Sequence, residues 1–157
     1  MKRVVAVAAV VLASAGCSAE TAPRRTELRF DSAGKHLAEH WGIKFTSPSG
    51  QPRTTQHGSV TQPSGGRLSA ILGGRRPGTV RTVSCQAFGA TQKTAGDFLK
   101  DCAALPFPGP ERRQVEAVNW TKGRRLSIGG VRYVLSATPE RNLWVLRFSL
   151  PERRPLP

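Results

Sequence analysis

The residues best suited to chemistry are two histidines and a glutamate in the segment His36-Leu37-Ala38-Glu39-His40. Residues four positions apart share one face of a helix, so His36 and His40 could together bind a zinc ion. Glu39 could then act as the general base for a zinc-bound water. This segment makes a zinc-dependent hydrolase the alternative function to be tested.

The same segment resembles the H-x-x-E-H zinc motif of the inverzincin peptidases. That resemblance implies a third ligand, and Glu116, which lies 76 positions after His40, is the matching residue. The catalytic domain of that family is larger than this chain, and such short motifs arise by chance. We therefore favour a solvated helix face carrying His36, Glu39 and His40, and we expect no metal and no cofactor.

Other catalytic motifs are missing from the sequence. It contains no G-x-S-x-G segment, and neither Gly65-Gly66 nor Gly73-Gly74 belongs to a phosphate-binding loop or a dinucleotide fingerprint. Asp97 and Asp101 lie one helical turn apart, and we expect them to serve a helix cap and a solvent face. No catalytic residue is assigned, and a non-enzymatic protein is favoured.

Positive charge is the broadest functional signal in the sequence. The 24 Lys and Arg exceed the 10 Asp and Glu and give a net charge of +14. Arg75-Arg76 and Arg124-Arg125 flank the predicted sheet, and we expect these four residues to form a patch that binds an anionic surface. The alternative is a solvated basic surface that results from biased codon usage.

The N-terminus predicts export. Lys2 and Arg3 precede the apolar run Val4–Ala13, which is too short for a bilayer core that needs about twenty residues. The following Ser14-Ala15-Gly16-Cys17 resembles the lipobox of bacterial lipoproteins, in which the cysteine receives a diacylglycerol and becomes the new N-terminus. The resemblance implies lipidation of Cys17 and a lipid-anchored protein on the outer face of the cell membrane. Plain secretion is the alternative.

The cysteine count agrees with this prediction. The sequence has three cysteines, and lipidation of Cys17 leaves Cys85 and Cys102. Because an exported chain enters an oxidising compartment, we predict a disulfide between these two residues. Two buried free thiols are the alternative.

Two hairpins are predicted from alternating hydrophobic residues. The segment 68–72 and the face Val83, Cys85 and Ala87 form the first pair of strands, and 131–137 with 144–150 form the second. By contrast, the stretch 46–66 contains a single aliphatic residue, Val60, and is predicted to be a mobile loop.

Three helices are predicted from caps and helical spacing. The first runs from a cap at Ser32 to about Trp41 and stops at Gly42. The second begins after Thr94 and carries Cys102 on its apolar face. The third runs from Pro110 to about Lys122.

The segment Phe98-Leu99-Lys100-Asp101-Cys102-Ala103-Ala104-Leu105, with Cys85 before it and Pro108-Gly109 after it, resembles a set of secreted lipoproteins of actinobacteria. In those proteins a strand cysteine and a similar helix precede a pair of strands. The resemblance covers roughly residues 80–150. It implies a fold and a location, but no chemistry.

Together these elements predict an α+β fold, a small antiparallel sheet with two helices packed on one face. Residues 1–16 form the signal peptide, 17–26 a tether, 27–150 a single domain and 151–157 a frayed tail. The expected function is that of a cell-envelope lipoprotein with a non-enzymatic binding or accessory domain. Its expected partners are the membrane, through the lipid anchor, and an anionic lipid, a wall polymer or an envelope protein. Export argues against nucleic acid.

Overall fold

The computed structural model describes residues 27–46, 54–109 and 112–152. The predicted signal peptide at 1–16, the tether with Cys17 and the tail beyond residue 152 lie outside these ranges. The helices are α1 Phe30–Trp41, α2 Gln92–Ala104 and α3 Arg112–Glu116. The strands are β1 Lys44–Thr46, β2 Thr55–Thr61, β3 Arg67–Gly73, β4 Thr82–Phe88, β5 Arg124–Ile128, β6 Val131–Thr138 and β7 Leu143–Ser149.

The seven strands form one antiparallel sheet in the order β1-β2-β3-β4-β7-β6-β5, which confirms the α+β fold class. Both predicted hairpins are present as β3–β4 and β6–β7. They join along β4 and β7, where Cys85 lies opposite Leu146. The sheet is larger than predicted because β1 and β2 extend one edge and β5 extends the other.

The sheet has a buried face and an open face. In the four central strands β3, β4, β7 and β6, nearly every second residue is buried, whereas the residues between them are exposed or half-buried. Tyr133 ties the buried face to α2, since its hydroxyl donates to the Ala103 carbonyl oxygen at 2.8 Å. On the β1–β2 side, Gly34 of α1 lies beside Phe45, which belongs to the same buried face. Both long helices therefore cover one side of the sheet.

Cys85 and Cys102 lie at disulfide distance, as predicted, with their Cα atoms 6.6 Å apart. Cys85 is on the buried face of β4 and Cys102 is on the inner side of α2. Both residues are fully buried. The covalent link therefore joins the centre of the sheet to the helix layer.

The prediction of a mobile loop over 46–66 was wrong for its second half, because β2 occupies Thr55–Thr61. Gly58 explains how so polar a segment can enter the sheet. A Cβ atom at Gly58 would lie 2.5 Å from Ile43 Cγ2 and 2.8 Å from Phe45 Cδ1. These two neighbouring side chains therefore fill the space above Gly58, and they supply the apolar contact that β2 lacks.

The helix boundaries differ from the predictions at three of their ends. α1 begins at Phe30, because the Ser32 hydroxyl bonds the Arg29 carbonyl oxygen and does not cap the helix, but it ends as predicted with Gly42 at φ 70°. α2 begins after Thr91, whose side chain accepts a hydrogen bond from the Thr94 amide. α3 is only five residues long.

The early end of α3 has a visible cause. The Trp120 indole nitrogen donates to the Val115 carbonyl oxygen at 2.8 Å. That bond folds the following chain back under the helix and brings Trp120 into the core. Residues up to Lys122 therefore leave the predicted helical path.

Within the described ranges, none of the helices combines the length and the apolar character that a bilayer crossing requires.

Candidate functional site

The residues of the alternative zinc site bond other parts of the protein. His36 Nε2 lies 2.8 Å from an Asp101 oxygen, and Glu116 accepts a hydrogen bond from Arg112 Nε at 2.9 Å. His40 stacks on His36 with ring centroids 4.1 Å apart, and its Nδ1 bonds the His36 carbonyl oxygen. Across the part of the chain that the structure describes, no three His, Cys, Asp or Glu side chains are grouped closely enough to hold a metal ion.

Asp101 is the centre of a polar cluster that joins all three helices. One of its oxygens accepts from His36 and from the Trp41 indole nitrogen at 2.9 Å, and the other accepts from Arg112 at 2.6 Å. Burial alone would raise the pKa of Asp101, but the hydrogen bonds from these three residues hold that pKa well below its usual range. The expectation that Asp101 lies on a solvent face was wrong, since its side chain is only 13% exposed.

The neighbouring Asp97 is the solvent-facing carboxylate. It bonds Lys93 Nζ at 2.7 Å and Lys100 Nζ at 3.5 Å on the surface of α2.

A cleft of about 190 Å³ adjoins His36 and includes Ser32 in its lining. The Ser32 hydroxyl is committed to the Arg29 carbonyl oxygen, so this cleft does not present an activated nucleophile. The cluster around Asp101 holds the helix layer together.

The predicted patch of Arg75, Arg76, Arg124 and Arg125 is not assembled. Arg75 and Arg76 follow β3, and Arg75 pairs with Glu152 at 2.9 Å. Arg124 and Arg125 begin β5, and β4, β7 and β6 lie between the two pairs. The order of the strands in the sheet separates the two arginine pairs. That order depends on long-range contacts, which the local spacing of residues does not reveal.

The structure instead brings a different set of cations together on the open face. We define the open face as the outward-pointing residues of the seven strands: Lys44, Thr46, Thr55, His57, Ser59, Thr61, Arg67, Ser69, Ile71, Gly73, Thr82, Ser84, Gln86, Phe88, Arg125, Ser127, Arg132, Val134, Ser136, Thr138, Leu143, Val145, Arg147 and Ser149. Five of these residues are Lys or Arg, and most of the others are Ser, Thr or small apolar residues. None is buried.

The charge on the open face is of one sign. No Asp or Glu lies in any of the seven described strands. The acidic residues that the structure describes lie in the helices and in the connecting or terminal segments. Among the described residues, no ion pair neutralises the five cations of the open face. The field above this face is therefore positive.

Two shallow depressions mark the open face. One, of about 390 Å³, is lined by Lys44, His57 and Arg67 among others, and the second, of about 440 Å³, by Arg132 and Arg147 among others. Both include Ile71, so they adjoin at the middle of the sheet.

The same face carries exposed apolar side chains. The large hydrophobic residues that stand exposed in the described ranges are Ile71 at 41%, Phe88 at 53% and Val134 at 41%. All three point outward from the open face. Apolar side chains among unpaired cations are typical of surfaces that meet the interface of a membrane with anionic lipids.

The chain matches no family model, no curated protein and no solved structure. The resemblance to secreted actinobacterial lipoproteins therefore remains a prediction from the sequence.

Sequence reasoning missed the open face although part of its signal was present. In the predicted hairpins, the residues between the apolar ones include Ile71, Ser84, Arg132 and Arg147, and period-two alternation places these on the outer side. The side-by-side arrangement of β3, β4, β7 and β6 brings them together. Arg125 was among the predicted binding residues, but Arg132 and Arg147 were not.

Proposed function

We propose that this protein is a non-enzymatic envelope lipoprotein whose open face binds the anionic phospholipid surface of the membrane to which Cys17 would anchor it. The anchor is inferred from the sequence around Cys17, and it places the protein on the outer face of the cell membrane. Binding through the open face then holds the domain against that surface and sets its orientation.

The observation that carries this proposal is the one-signed charge of the open face. Anionic lipids attract cations near the membrane by about 1 kcal/mol each. The exposed Ile71, Phe88 and Val134 add apolar area that a lipid interface can cover. A carboxylate on this face would weaken that attraction, and the described strands contain none.

The length of chain between the proposed anchor and the domain permits this arrangement. Glu27, the first described residue, lies ten positions after Cys17. Ten residues span at most about 35 Å when fully extended. The open face can therefore reach the membrane surface while the lipid remains inserted.

Binding to vesicles tests the proposal. The chain from residue 18 to 157, which contains the seven described strands and the three described α-helices, is expected to sediment with phosphatidylglycerol vesicles and not with phosphatidylcholine vesicles. Replacing Arg125, Arg132 and Arg147 with Gln is expected to weaken binding about 150-fold, which corresponds to roughly 3 kcal/mol for the three lost charges. About 1 M salt, at which the Debye length is about 3 Å, is expected to abolish it.

A matched control removes the same charge elsewhere. Arg76, Arg113 and Arg141 are exposed and lie off the open face. Their replacement with Gln is expected to cost much less affinity. An equal loss from both triple variants, or binding that ignores salt, would contradict a role for the open face.

A further inference from the structure

Three arginines surround Val134 on neighbouring strands of the open face. Arg125 lies opposite Val134 on β5, and Arg147 lies opposite it on β7. Arg132 is two residues before Val134 on β6 and so points to the same side. Arg132 is therefore a diagonal neighbour of Arg125 and of Arg147, and the Cα atoms of diagonal neighbours lie about 7–8 Å apart. Three guanidinium groups therefore extend from one small area.

Hydroxyl groups complete the surroundings of two of these arginines. Ser84 lies opposite Arg147, and Ser149 lies opposite both Arg132 and Thr82. All five line the depression of about 440 Å³. The depression thus combines two planar cationic donors with three neutral hydroxyl donors.

This set of donors fits a phosphodiester. Such a group carries one negative charge, shared by two non-bridging oxygens, and two ester oxygens, and these oxygens accept hydrogen bonds from several directions. Arginine binds phosphate oxygens with two parallel hydrogen bonds, whereas lysine binds them as a single point charge. The hydroxyls can donate to the remaining oxygens.

Apolar residues beside the depression indicate where the rest of the molecule lies. Ile71 and Val134 line it as well and are both exposed. The acyl chains attached to the glycerol of a phospholipid would cover them, whereas a soluble anion would leave them in water. The chemistry favours a lipid headgroup over a soluble phosphate.

We propose that the depression between Arg132 and Arg147 is a binding site for the phosphodiester headgroup of an anionic phospholipid, with Arg125 flanking it. This inference rests on the proposed function and adds to it a specific site. Diffuse attraction depends only on charge, whereas a headgroup site depends also on the forked geometry of the arginines.

Charge-conserving variants separate the two ideas. Arg132→Lys with Arg147→Lys keeps the charge of the open face but removes the forked donors. This double variant is expected to bind phosphatidylglycerol vesicles about tenfold more weakly than the wild type, because each bidentate contact becomes a single one. The matched pair Arg76→Lys and Arg113→Lys is expected to bind as the wild type does. Circular dichroism of each variant checks that the fold is kept.

Each result of this comparison has a distinct meaning. If the lysine variant binds like the wild type while the triple glutamine variant does not bind, the headgroup site is wrong and the proposed function stands. If the wild type does not bind the vesicles, both are wrong. In a further experiment, soluble poly(glycerol phosphate) is added as a competitor of the vesicles. Tighter binding to this polymer than to vesicles, at equal phosphodiester concentration, would overturn the assignment to a lipid.

Discussion

Loss of the Cys85–Cys102 link is expected to lower the free energy of unfolding by about 3 kcal/mol, since it closes a short loop within the unfolded chain. The two cysteines are 17 positions apart, and both are fully buried between the sheet and α2. Chemical unfolding of the wild type with and without reductant, followed by tryptophan fluorescence, measures the difference.

The double variant Cys85→Ala with Cys102→Ala is the control for this experiment. It has no thiols in the domain, so reductant is expected to leave its unfolding curve unchanged. A wild-type curve that is equally insensitive to reductant throughout the unfolding transition would show that the link does not stabilise the domain.

Replacement of Asp101 with Ala is expected to cost about 3 kcal/mol, because it leaves partly buried donors without their acceptor. Asp101 is the common hydrogen-bond partner of three residues from the other two helices. His36 and Trp41 belong to α1, and Arg112 belongs to α3. The measurement is again the free energy of unfolding in denaturant.

Asp97→Ala is the matched control on the same helix. The Asp97 side chain is 42% exposed and pairs only with surface lysines, and exposed pairs of this kind contribute at most about 1 kcal/mol. Equal destabilisation by both substitutions would contradict the central position of Asp101 in the helix layer.

The contribution of Asp101 also has a defined dependence on pH. Its pKa is lowered in the folded protein, so its stabilising effect is complete above the ordinary carboxyl pKa and is lost as the pH falls towards the lowered value. The difference in unfolding free energy between the wild type and Asp101→Ala is therefore expected to shrink below about pH 4. A difference that stays constant down to pH 2 would contradict the pKa shift.

Local sequence patterns were sufficient for the central part of the fold. Alternation in Val131–Leu150 identified β6 and β7, and the inward positions of Cys85 and Cys102 identified the disulfide. β2 was not predicted because its buried residue is Gly58, whose packing partners Ile43 and Phe45 come from another segment. The sequence of β2 alone therefore does not indicate that Ile43 and Phe45 pack against it.

The same limit applies to the polar cluster and to the candidate site. Asp101 was predicted to lie on the solvent face of α2, and its contacts with α1 and with Arg112 of α3 make it partly buried. Arg132 and Arg147 were visible as outward residues of a hairpin, but their proximity to Arg125 depends on β5, for which no strand was predicted. The cluster around Asp101 and the pairing of β4 with β7 depend on contacts between distant segments, whereas β5 pairs with β6 across the adjacent turn at Gly129-Gly130.

We propose that the open face, and not the helix layer, meets an anionic membrane. Paramagnetic broadening of backbone amide signals by a spin-labelled lipid, with the protein bound to phosphatidylglycerol nanodiscs, tests this most directly. The account predicts strong broadening at Ser84, Val134 and Arg147 and little at Lys35 and Lys100 on the helix layer. Broadening centred on the helix layer, or spread evenly over both sides, would contradict it.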